Sequence, residues 1–323
     1  MKKILIIRFT SLGDLVTLEP TFRAFREFFK DSEITFLTSG IGKGLFADSG
    51  YFDEFIVHKK FLETVSLLKN KEYDLVINLQ CNRPSHFINL TVSKKKVINK
   101  SFNLFQKIFG IKVPSKSASE MIKLAGFDEK VVDEYFKKDK GFIKLPTSKS
   151  ELFTKNDEKK VIAISTGTSE RWLSKKWGID NYSDLIGKLI ENNFEIILVG
   201  SSLELEDSEF LLKKYPQIRS FVNKTNLTQL KNLLANVDFF IGNDSGPTHI
   251  AAAVGVNTIT IFGSTDIKHC VKFMPYTGIH EYLKPSEDIK CHPCYKTKCP
   301  TNMECMQSIK VENIVEKIRI MND

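Results

Sequence analysis

The sequence lacks any long apolar run. Its 323 residues are 42% hydrophobic and 27% charged, the balance of a globular protein, yet no run approaches the roughly 18 apolar residues that a membrane-spanning helix needs. Met1–Arg8 opens with two lysines, as a signal peptide does, but the four apolar residues before Arg8 are too few for a signal-peptide core. We therefore expect a cytoplasmic protein whose first residues form a buried strand.

The six cysteines come without a secretion signal, which favours a reducing cytosol over a disulfide framework. Four of them form a compact set, Cys291-x2-Cys294-x4-Cys299-x5-Cys305. Four thiolates at short spacing can hold zinc in a tetrahedron, although the set contains only one Cys-x2-Cys pair. The spacing leaves two interpretations open: a structural metal site, and a reduced, partly buried cluster.

The glycine fingerprint of dinucleotide-binding enzymes is also absent. The turn after the first predicted strand, Arg8–Asp14, contains a single glycine and does not fit the pattern Gly-x-Gly-x-x-Gly. This absence disfavours a dehydrogenase. Asp14 itself stands where a helix begins, and two interpretations apply to it. It is either a carboxylate that caps the helix or a general base at the edge of a binding site.

Positive charge is unevenly distributed. Residues 1–150 hold 26 Lys and Arg against 17 Asp and Glu, a net +9, whereas residues 151–323 hold 21 against 22, a net −1. The excess lies in residues 94–149, where Phe102, Phe105 and Phe109 recur at helical spacing among lysines that include Lys100, Lys107 and Lys112. These phenylalanines either face a core or belong to a surface that meets anionic lipid headgroups. Charge alone is weak support for nucleic-acid binding, and we expect none.

Strands and helices alternate along the chain. The predicted strands are Ile4–Ile7, Glu33–Leu37, Phe55–Val57, Asp74–Leu79, Val161–Ile164, Phe194–Val199, Asp238–Ile241 and Thr258–Phe262; the predicted helices are Leu15–Phe29, Phe61–Lys69, Asn181–Asn192, Glu204–Lys214 and Leu227–Ala235. A polar, lysine-rich passage over 146–159 interrupts the pattern. The alternation predicts an α/β protein of two parallel sheets, in domains 1–150 and 151–323. Ligands of such sheets bind at the carboxyl ends of strands, and two sheets that face each other leave a cleft.

The stretch Gly242–His249 follows a predicted strand and precedes a predicted helix of small residues. Pro247 suits the first turn of a helix, and Ser245 or Asp244 can cap the free amides in front of it. Free N–H groups and the positive end of a helix dipole attract a phosphate. The alternative is an ordinary turn between a strand and a helix.

A second polar turn, Ser165–Gly178, follows the strand predicted at Val161–Ile164. Its hydroxyl groups and glycine can donate to phosphate oxygens, and Lys175 or Lys176 adds positive charge. Taken alone it is only a polar loop. Its expected position at the same edge of the same sheet as Gly242–His249 favours a shared phosphate site.

Four segments in order along the chain carry a resemblance: Ser11-Leu-Gly-Asp14, Lys175-Lys-Trp177, Asp244-Ser-Gly-Pro-Thr-His249 and Phe262-Gly-Ser-Thr-Asp266. Together they resemble the heptosyltransferase family of lipopolysaccharide core assembly (glycosyltransferase family nine), over nearly the whole chain. The resemblance implies a GT-B type fold, two Rossmann-like domains whose parallel sheets face a central cleft. The first domain would bind the acceptor and the second the nucleotide sugar. Gly178 departs from the family pattern, which usually has Pro there.

The resemblance also implies roles for individual residues. Asp14 matches the catalytic base of the family. The donor-binding positions of the family are matched by Thr166, Thr168 and Lys175 in the phosphate-binding loop, by Glu204 near the ribose, by Thr225 near the base, and by Asp244, Ser245, Gly246 and His249 in the second turn. The implied donor is ADP-heptose or a related nucleotide sugar, and the implied acceptor is a lipopolysaccharide core precursor linked to lipid A. No cofactor is implied.

The chemistry of the matched residues agrees with such a transfer. Asp14 can take the proton of the attacking hydroxyl, while Lys175 and the amides behind Ser245 stabilise the departing diphosphate without a metal. We therefore expect an inverting, metal-independent reaction, with peripheral contact to the anionic inner face of the inner membrane through the basic first half. Two alternatives stay open: a transferase of the same fold with another donor or surface-glycan acceptor, and a non-catalytic nucleotide-sugar-binding protein. Asp14 argues against the second.

Overall fold

The structure, a computed structural model, describes residues 1–101, 115–155, 158–269 and 274–322. The chain divides into two units, Met1–Pro146 and Thr147–Asp323. Each unit is built on a parallel sheet, which confirms the predicted α/β class with two parallel sheets. In the described ranges no helix is both long and apolar enough to cross a bilayer. The phenylalanine stripe predicted at Phe102, Phe105 and Phe109, with Lys107 and Lys112, lies outside the described residues.

Within its described residues, the first unit contains strands β1 (Lys3–Ile7), β2 (Glu33–Thr38), β3 (Glu54–Val57), β4 (Glu72–Asn78) and β5 (Ser93–Asn99). Its helices there are α1 (Leu12–Thr17), α2 (Glu19–Phe28), α3 (Gly40–Phe46), α4 (Phe61–Leu68), α5 (Arg83–Thr91), α6 (Ala118–Leu124) and α7 (Glu129–Lys138). The strands are parallel in the order β3-β2-β1-β4-β5, and Ile4 lies opposite both Ile34 and Leu75. Ile4 to Ile7 are fully buried, because helices cover both faces of the sheet.

The two faces of this sheet have different cores. On one face, Phe22 of α2 and Phe46 of α3 meet edge to face at 5.1 Å between ring centroids, and Phe36 of β2 stacks on Phe52 at 4.3 Å. On the other face, Leu68 of α4 and Ile88 of α5 belong to a mainly aliphatic cluster with Leu5, Ile7, Leu37 and Val76. The first unit is therefore a three-layer sandwich in which α4 and α5 form one outer layer.

The prediction of a single helix over Leu15–Phe29 is wrong. The structure has two helices here, α1 and α2, which meet at Leu18. Pro20 lies in the first turn of α2. Because proline has no N–H group, it could not donate to the carbonyl of Val16 in a continuous helix. The first of these helices, α1, begins at Leu12, so Asp14 lies in its first turn, shortly after β1.

The run Lys94-Lys-Lys96 lies on β5, which is an edge strand of the sheet. Lys95 pairs with Asp74 at 2.7 Å, and the Lys96 ammonium donates to the Leu124 carbonyl. Lysines on an edge strand discourage pairing with another chain. This part of the basic stretch therefore has a structural explanation within the fold.

In its described residues, the second unit contains strands β6 (Val161–Ser165), β7 (Glu195–Leu198), β8 (Arg219–Ser220), β9 (Phe239–Asn243), β10 (Asn257–Ile261) and β11 (His280–Leu283). Its α-helices there are α8 (Ile179–Glu191), α9 (Leu205–Lys214), α10 (Leu227–Leu234), α11 (Gly246–Ala253), α12 (Glu304–Gln307) and α13 (Val311–Asn322). Short 3₁₀ turns occur at Leu173–Lys175, Ser202–Glu204 and Ile267–His269. The strands are parallel in the order β11-β10-β9-β6-β7-β8.

Each sheet has a switch point, where the chain turns from building one half of the sheet to building the other. In the first unit it lies between β1 and β4, and in the second it lies between β6 and β9. The loops leave these strand pairs in opposite directions, so a crevice opens at their carboxyl ends. The turn that carries Asp14 follows β1, and the two predicted phosphate-binding turns follow β6 and β9.

Candidate functional site

In the second unit, the two predicted phosphate-binding turns leave neighbouring strands at the same edge of the sheet. Ser165 at the end of β6 lies opposite Gly242 in β9. The buried amide of Asn243 fastens the turns together, because its Nδ2 donates to the carbonyls of Thr166 and Gly167 at 2.9 and 3.0 Å. The backbone of the first turn is therefore fixed by the strand that carries the second.

Lys175 and Asp244 form the charged centre of this edge. The Lys175 ammonium lies 2.6 Å from Asp244 Oδ2, and each side chain is only 13% exposed. Thr265, in the turn after β10, donates to the same carboxylate oxygen at 2.8 Å. The Lys175 ammonium also lies 4.8 Å from the ring centroid of Trp172, within cation–π range. A mostly buried ammonium with one carboxylate partner can bind an anionic ligand that competes with that carboxylate.

The two threonines of the first turn are buried and already hydrogen-bonded. Thr166 Oγ1 donates to Asp207 Oδ2 at 2.8 Å, and Thr168 Oγ1 donates to the Trp172 carbonyl at 3.1 Å. Lys176 forms an ion pair with Asp207 at 3.0 Å. The hydroxyl groups therefore hold the shape of the turn. Asp207 was not predicted, because it lies on α9, forty-one residues from Thr166, and no spacing in the sequence links the two.

Glu204 lies beside the first turn, in the 3₁₀ turn after β7. It is buried, and its Oε2 accepts from the Ser201 amide at 2.6 Å and the Ser201 hydroxyl at 2.9 Å. Its Oε1 occupies the space over Gly167, where a Cβ atom would stand only 1.7 Å away. Position 167 therefore favours glycine, because any side chain there would have to displace the Glu204 carboxylate.

Thr225 lies farther along the same edge, in the loop between β8 and α10, and is itself half-buried. Two backbone bonds fasten this loop to the strand beside it: Phe221 donates to the Leu198 carbonyl at 2.8 Å, and Asn223 donates to the Gly200 carbonyl at 3.0 Å. Thr225 therefore stands near the Ser201–Glu204 turn. Among the described residues no hydrogen bond joins Thr225 to another predicted site residue.

The second turn ends at the start of α11. Ser245 is the N-cap residue with extended backbone, Gly246 begins the helix, and Pro247 lies in its first turn, as predicted from the sequence. The Ser245 hydroxyl is buried, and no described residue is its hydrogen-bond partner. His249, one turn into the helix, contacts the Tyr276 hydroxyl through Nδ1 at 3.1 Å. The start of α11 thus offers free amides and an unused hydroxyl beside Asp244.

In the first unit, Asp14 has two kinds of partner. Its Oδ2 accepts from the amide and the hydroxyl of Ser11, both at 3.1 Å, which fixes the start of α1. The same oxygen lies 2.8 Å from the Arg8 guanidinium, which is mostly buried, while Asp14 is 57% exposed. Arg8 in turn donates to the Leu79 carbonyl at 3.0 Å, across the switch point. The capping interpretation is therefore supported, and the carboxylate still faces solvent.

A cavity of about 230 Å³ adjoins Asp14. Its lining is mostly charged or polar, with Leu18, Ala118 and Met121 as the apolar members. The charged and polar residues are Arg8, Asp14, Thr17, Thr21, Lys100, Lys116 and Ser117. Burial, with the positive charge of Arg8, lowers the pKa of Lys100, and the Asp14 charge opposes this shift. The Lys116 ammonium donates to the Asn99 carbonyl at 3.1 Å. Three cations beside one carboxylate make this cavity suited to an anionic ligand.

The cysteine segment packs against the lysine turn of the second unit. The Ser174 hydroxyl lies 2.8 Å from the Ser264 hydroxyl and donates to the Lys296 carbonyl at 2.5 Å. The Tyr295 amide donates to the Ser264 carbonyl at 2.8 Å. In the described residues no three His, Cys, Asp or Glu side chains are grouped so that they could hold a metal ion. Cys291, Cys294, Cys299 and Cys305 are all free thiols.

The structure therefore brings the predicted donor residues of the second unit to one sheet edge and Asp14 to the switch point of the first. Sequence reasoning missed four partners: Arg8, Lys100, Asp207 and Thr265. Arg8 could have been suspected from its position directly after β1, and Thr265 from its place in the Phe262–Asp266 motif. Nothing in the spacing indicates Asp207, or the contact of Lys100 with the Asp14 cavity.

Comparison with known proteins adds independent findings. Residues 62–304 match the family model described as glycosyltransferase family 9 (heptosyltransferase). Lipooligosaccharide heptosyltransferase 2 of Campylobacter jejuni is 26% identical over 333 positions, covering 98% of this chain and 98% of that protein. The Escherichia coli ADP-heptose lps heptosyltransferase II has a TM-score of 0.73 at 18% identity, covering 99% and 98% of the two chains. For E. coli heptosyltransferase WaaC with ADP-2-deoxy-2-fluoro heptose, the TM-score is 0.67 at 16% identity, covering 98% and 99%. At these identities the solved structures establish a common fold.

Proposed function

The chain belongs to glycosyltransferase family 9 (heptosyltransferase), and from this premise we propose that it transfers a heptose from ADP-heptose to the inner core of a lipid A-linked lipopolysaccharide precursor. The enzyme is a glycosyltransferase; the donor, the acceptor and the stereochemistry are our proposal. The named activities of the relatives support it: lipooligosaccharide heptosyltransferase 2 in C. jejuni and lipopolysaccharide core heptosyltransferase OpsX in Haemophilus influenzae. The E. coli structures that contain ADP-sugar or ADP support an adenine nucleotide.

One observation supports the donor site above all. Lys175 lies against Asp244, just before the start of α11, where the carboxyl ends of β6 and β9 lie side by side. In the proposal, the diphosphate competes with Asp244 for the Lys175 ammonium and accepts from the free amides and hydroxyl at Ser245 and Gly246. Negative charge grows on the diphosphate as the bond from its oxygen to the anomeric carbon breaks. A fixed cation and oriented amides stabilise that charge without reorganising. Glu204 and Thr225 would contact the ribose and the base.

The acceptor hydroxyl would attack the anomeric carbon from the opposite side, which inverts the configuration. Asp14 would take its proton: the oxygen–carbon bond forms, the O–H proton moves to the Asp14 carboxylate, and ADP departs. The partly exposed carboxylate, with Arg8 holding its position, supports this role. The cations of the adjoining cavity, Arg8, Lys100 and Lys116, would hold acidic groups of the acceptor.

We propose that the reaction needs no metal, because Lys175 and α11 supply the positive charge. Its test is full turnover after treatment with a chelator. Loss of turnover that added Mg²⁺ or Mn²⁺ restores would overturn this part of the proposal. The proposal also includes peripheral contact with an anionic membrane surface, supported by the net +9 of residues 1–150.

The main test is calorimetric titration of a panel of nucleotide sugars, followed by turnover measurements. We expect ADP-heptose to bind selectively, and Lys175→Ala to weaken it roughly tenfold or more. Asp14→Asn should bind the donor normally but turn over about 10²- to 10⁴-fold more slowly. Preference for a UDP- or GDP-sugar would overturn the donor while the transferase assignment stands. Near-normal turnover by Asp14→Asn would overturn the assigned base.

A further inference from the structure

The outer faces of α4 and α5 expose an unusual share of apolar side chains. Of the eighteen large hydrophobic side chains exposed among the described residues, five lie on these two short helices. They are Phe61 at 37% exposure, Leu62 at 78%, Leu67 at 57%, Phe87 at 48% and Leu90 at 71%. The two helices pack against each other on the same face of the first sheet. Single exposed apolar residues are ordinary, but a group of this kind on neighbouring elements indicates a contact surface.

The apolar side chains are not needed for the core. The inner sides of the helices already bury Leu68 of α4 and Ile88 of α5 in the aliphatic cluster of the sheet. On α5, Arg83, Phe87 and Leu90 stand at positions i, i+4 and i+7, which is one face of a helix. α5 therefore buries one side in the protein and presents Phe87 and Leu90 on another, while α4 exposes Leu62 and Leu67 on either flank of its buried side.

The charged groups around this surface are mainly positive. Lys59 and Lys60 precede α4, Lys69 follows it, and Arg83 begins α5; Glu63 is the one acidic residue within 59–70 and 83–91. All four cations are exposed, and none forms an ion pair with a carboxylate in the part of the chain that the structure describes. Exposed apolar side chains bordered by unpaired cations are typical of elements that lie in the headgroup region of an anionic bilayer.

The topology places the first residues of α4 and α5 at the sheet edge that carries Asp14. α4 follows the carboxyl end of β3 and α5 follows the carboxyl end of β4, the same sheet edge at which α1 begins with Asp14 after β1. Lys60, Phe61 and Arg83 stand at this edge. A substrate anchored in a bilayer could therefore meet Asp14 while the two helices contact the lipid.

We propose that the α4/α5 surface, formed by Phe61, Leu62, Leu67, Phe87 and Leu90 with Lys59, Lys60, Lys69 and Arg83, docks the enzyme on an anionic bilayer. The occupant is the lipid surface itself. The inference rests on the proposed function in one respect, since a lipid-linked acceptor gives the docking its purpose. Two interactions would hold the surface on the membrane. The apolar side chains would enter the boundary between the headgroups and the acyl chains, and the cations would pair with anionic headgroups.

The test is co-sedimentation of the full-length protein with vesicles of phosphatidylglycerol and phosphatidylethanolamine in equal parts, and with vesicles of phosphatidylcholine. The variant is Leu62→Asp/Leu90→Asp. The matched control is Val131→Asp/Ile320→Asp, which adds the same charge at exposed apolar positions of α7 and α13. We expect the wild type and the control to bind the anionic vesicles alike, and the α4/α5 variant to bind roughly tenfold more weakly or not at all. The wild type and both double variants should bind phosphatidylcholine vesicles poorly.

Equal binding by both double variants would overturn the proposal, as would strong binding of the wild type to phosphatidylcholine. A wild-type dimer that the α4/α5 variant dissociates, with unchanged vesicle binding, would overturn it in favour of self-association. Heptose transfer to a delipidated, water-soluble acceptor separates the two hypotheses, because it needs no bilayer. Normal transfer without vesicle binding would reject the docking surface alone, and vesicle binding that depends on the surface without transfer would reject the proposed function alone.

Discussion

At the scale of single residues, the main cation of the proposed donor site is held by one carboxylate. Lys175 and Asp244 are both 13% exposed, so neither charge is well solvated. Removing Lys175 alone as Lys175→Met leaves Asp244 with Thr265 as a neutral partner. We expect this variant to lose about 1–3 kcal/mol in the free energy of unfolding, because a poorly solvated charge has lost its counter-charge. Denaturant titration measures the loss.

The double variant Lys175→Met/Asp244→Asn separates stability from binding. It removes both charges, so most of the lost stability should return, while the affinity for ADP should stay low because the cation is still absent. A double variant that is no more stable than Lys175→Met would contradict the assignment of the pair as mutual counter-charges. Recovery of ADP affinity would contradict the role of Lys175 in binding phosphate.

Lys100 makes the proposed acceptor site sensitive to pH. Burial and the nearby Arg8 lower the pKa of Lys100, so its ammonium loses a proton at lower pH than an ordinary lysine at about 10.4. An acidic acceptor favours the charged form, and the KM for the acceptor should therefore rise as pH rises through that lowered pKa. The stability contribution has the opposite sign: a charge disfavoured in the folded state destabilises it fully below the folded pKa, and the penalty fades above it.

Lys100→Arg is the control for this pH dependence. Arginine stays protonated throughout the range, so the alkaline rise in acceptor KM should flatten while the KM at neutral pH stays close to that of the wild type. Steady-state kinetics with a saturating donor between pH 7 and about 10 measures both profiles. An unchanged alkaline rise in the arginine variant would assign the effect to another group.

What the sequence could predict at this scale depended on local spacing. The structure supports the capping interpretation of Asp14, whose carboxylate accepts from Ser11. The general-base interpretation stays a prediction, with which the exposure of that carboxylate beside Arg8 is compatible. Thr166 and Thr168 lie at the predicted strand edge, but their hydroxyls are bonded to Asp207 and to the Trp172 carbonyl. Only the three-dimensional packing of α9 against the first turn determines that bond, and local pattern cannot supply it.

At the scale of elements, the turn after β6 depends on a close approach between Gly167 and Glu204. A Cβ atom at position 167 would lie 1.7 Å from Glu204 Oε1 and 2.4 Å from Cδ. We expect Gly167→Ala to lower the free energy of unfolding by about 1–3 kcal/mol, the usual cost of overpacking, and to weaken ADP binding by displacing the turn. The matched control is Gly40→Ala in α3, where no atom lies within 4 Å of the new Cβ and the change should be neutral or slightly stabilising.

The same substitution made in a Glu204→Ala protein tests whether Glu204 is the reason for this cost. In Glu204→Ala the space over Gly167 is empty, so Gly167→Ala should cost much less there than in the wild type, and the two substitutions should couple strongly. Additive effects would show that glycine at 167 is required for another reason. Chemical denaturation of the four proteins completes the cycle.

Helices and strands with a strong apolar pattern were predictable from the sequence. Short elements, and those defined by pairing with neighbouring strands, were not. The buried strands and α8 to α10 were predicted within a few residues, because apolar periodicity and caps define them. The break at Leu18 was missed, although Pro20 indicated it, because an apolar pattern continues across it. The two-residue strand β8 and the edge strand β11 owe their assignment to neighbouring strands, with which Arg219 and His280 pair.

At the scale of the whole molecule, the two units differ in net charge and in the roles that we propose for them. Residues 1–150 carry a net +9 and residues 151–323 a net −1, while every proposed nucleotide contact lies in the second unit. Ligand binding stabilises the part of a protein that binds it, by about 2.7 kcal/mol at a concentration 100 times its Kd. ADP should therefore stabilise the second unit, Thr147–Asp323, more than the first.

Hydrogen exchange with mass spectrometry resolves this prediction along the chain. We expect ADP to slow exchange in peptides that contain the turns after β6 and β9 and the start of α11, where amides and backbone become ligand contacts. Peptides that contain Asp14 and the α4/α5 surface should exchange at an unchanged rate. In Lys175→Met most of this protection should be lost at the same ADP concentration. The Lys175 ammonium lies between the two protected turns, and ADP should bind them weakly without it. Equal protection of both units would show that nucleotide binding is not confined to the second unit, and would shift part of the proposed donor site to the basic half of the chain.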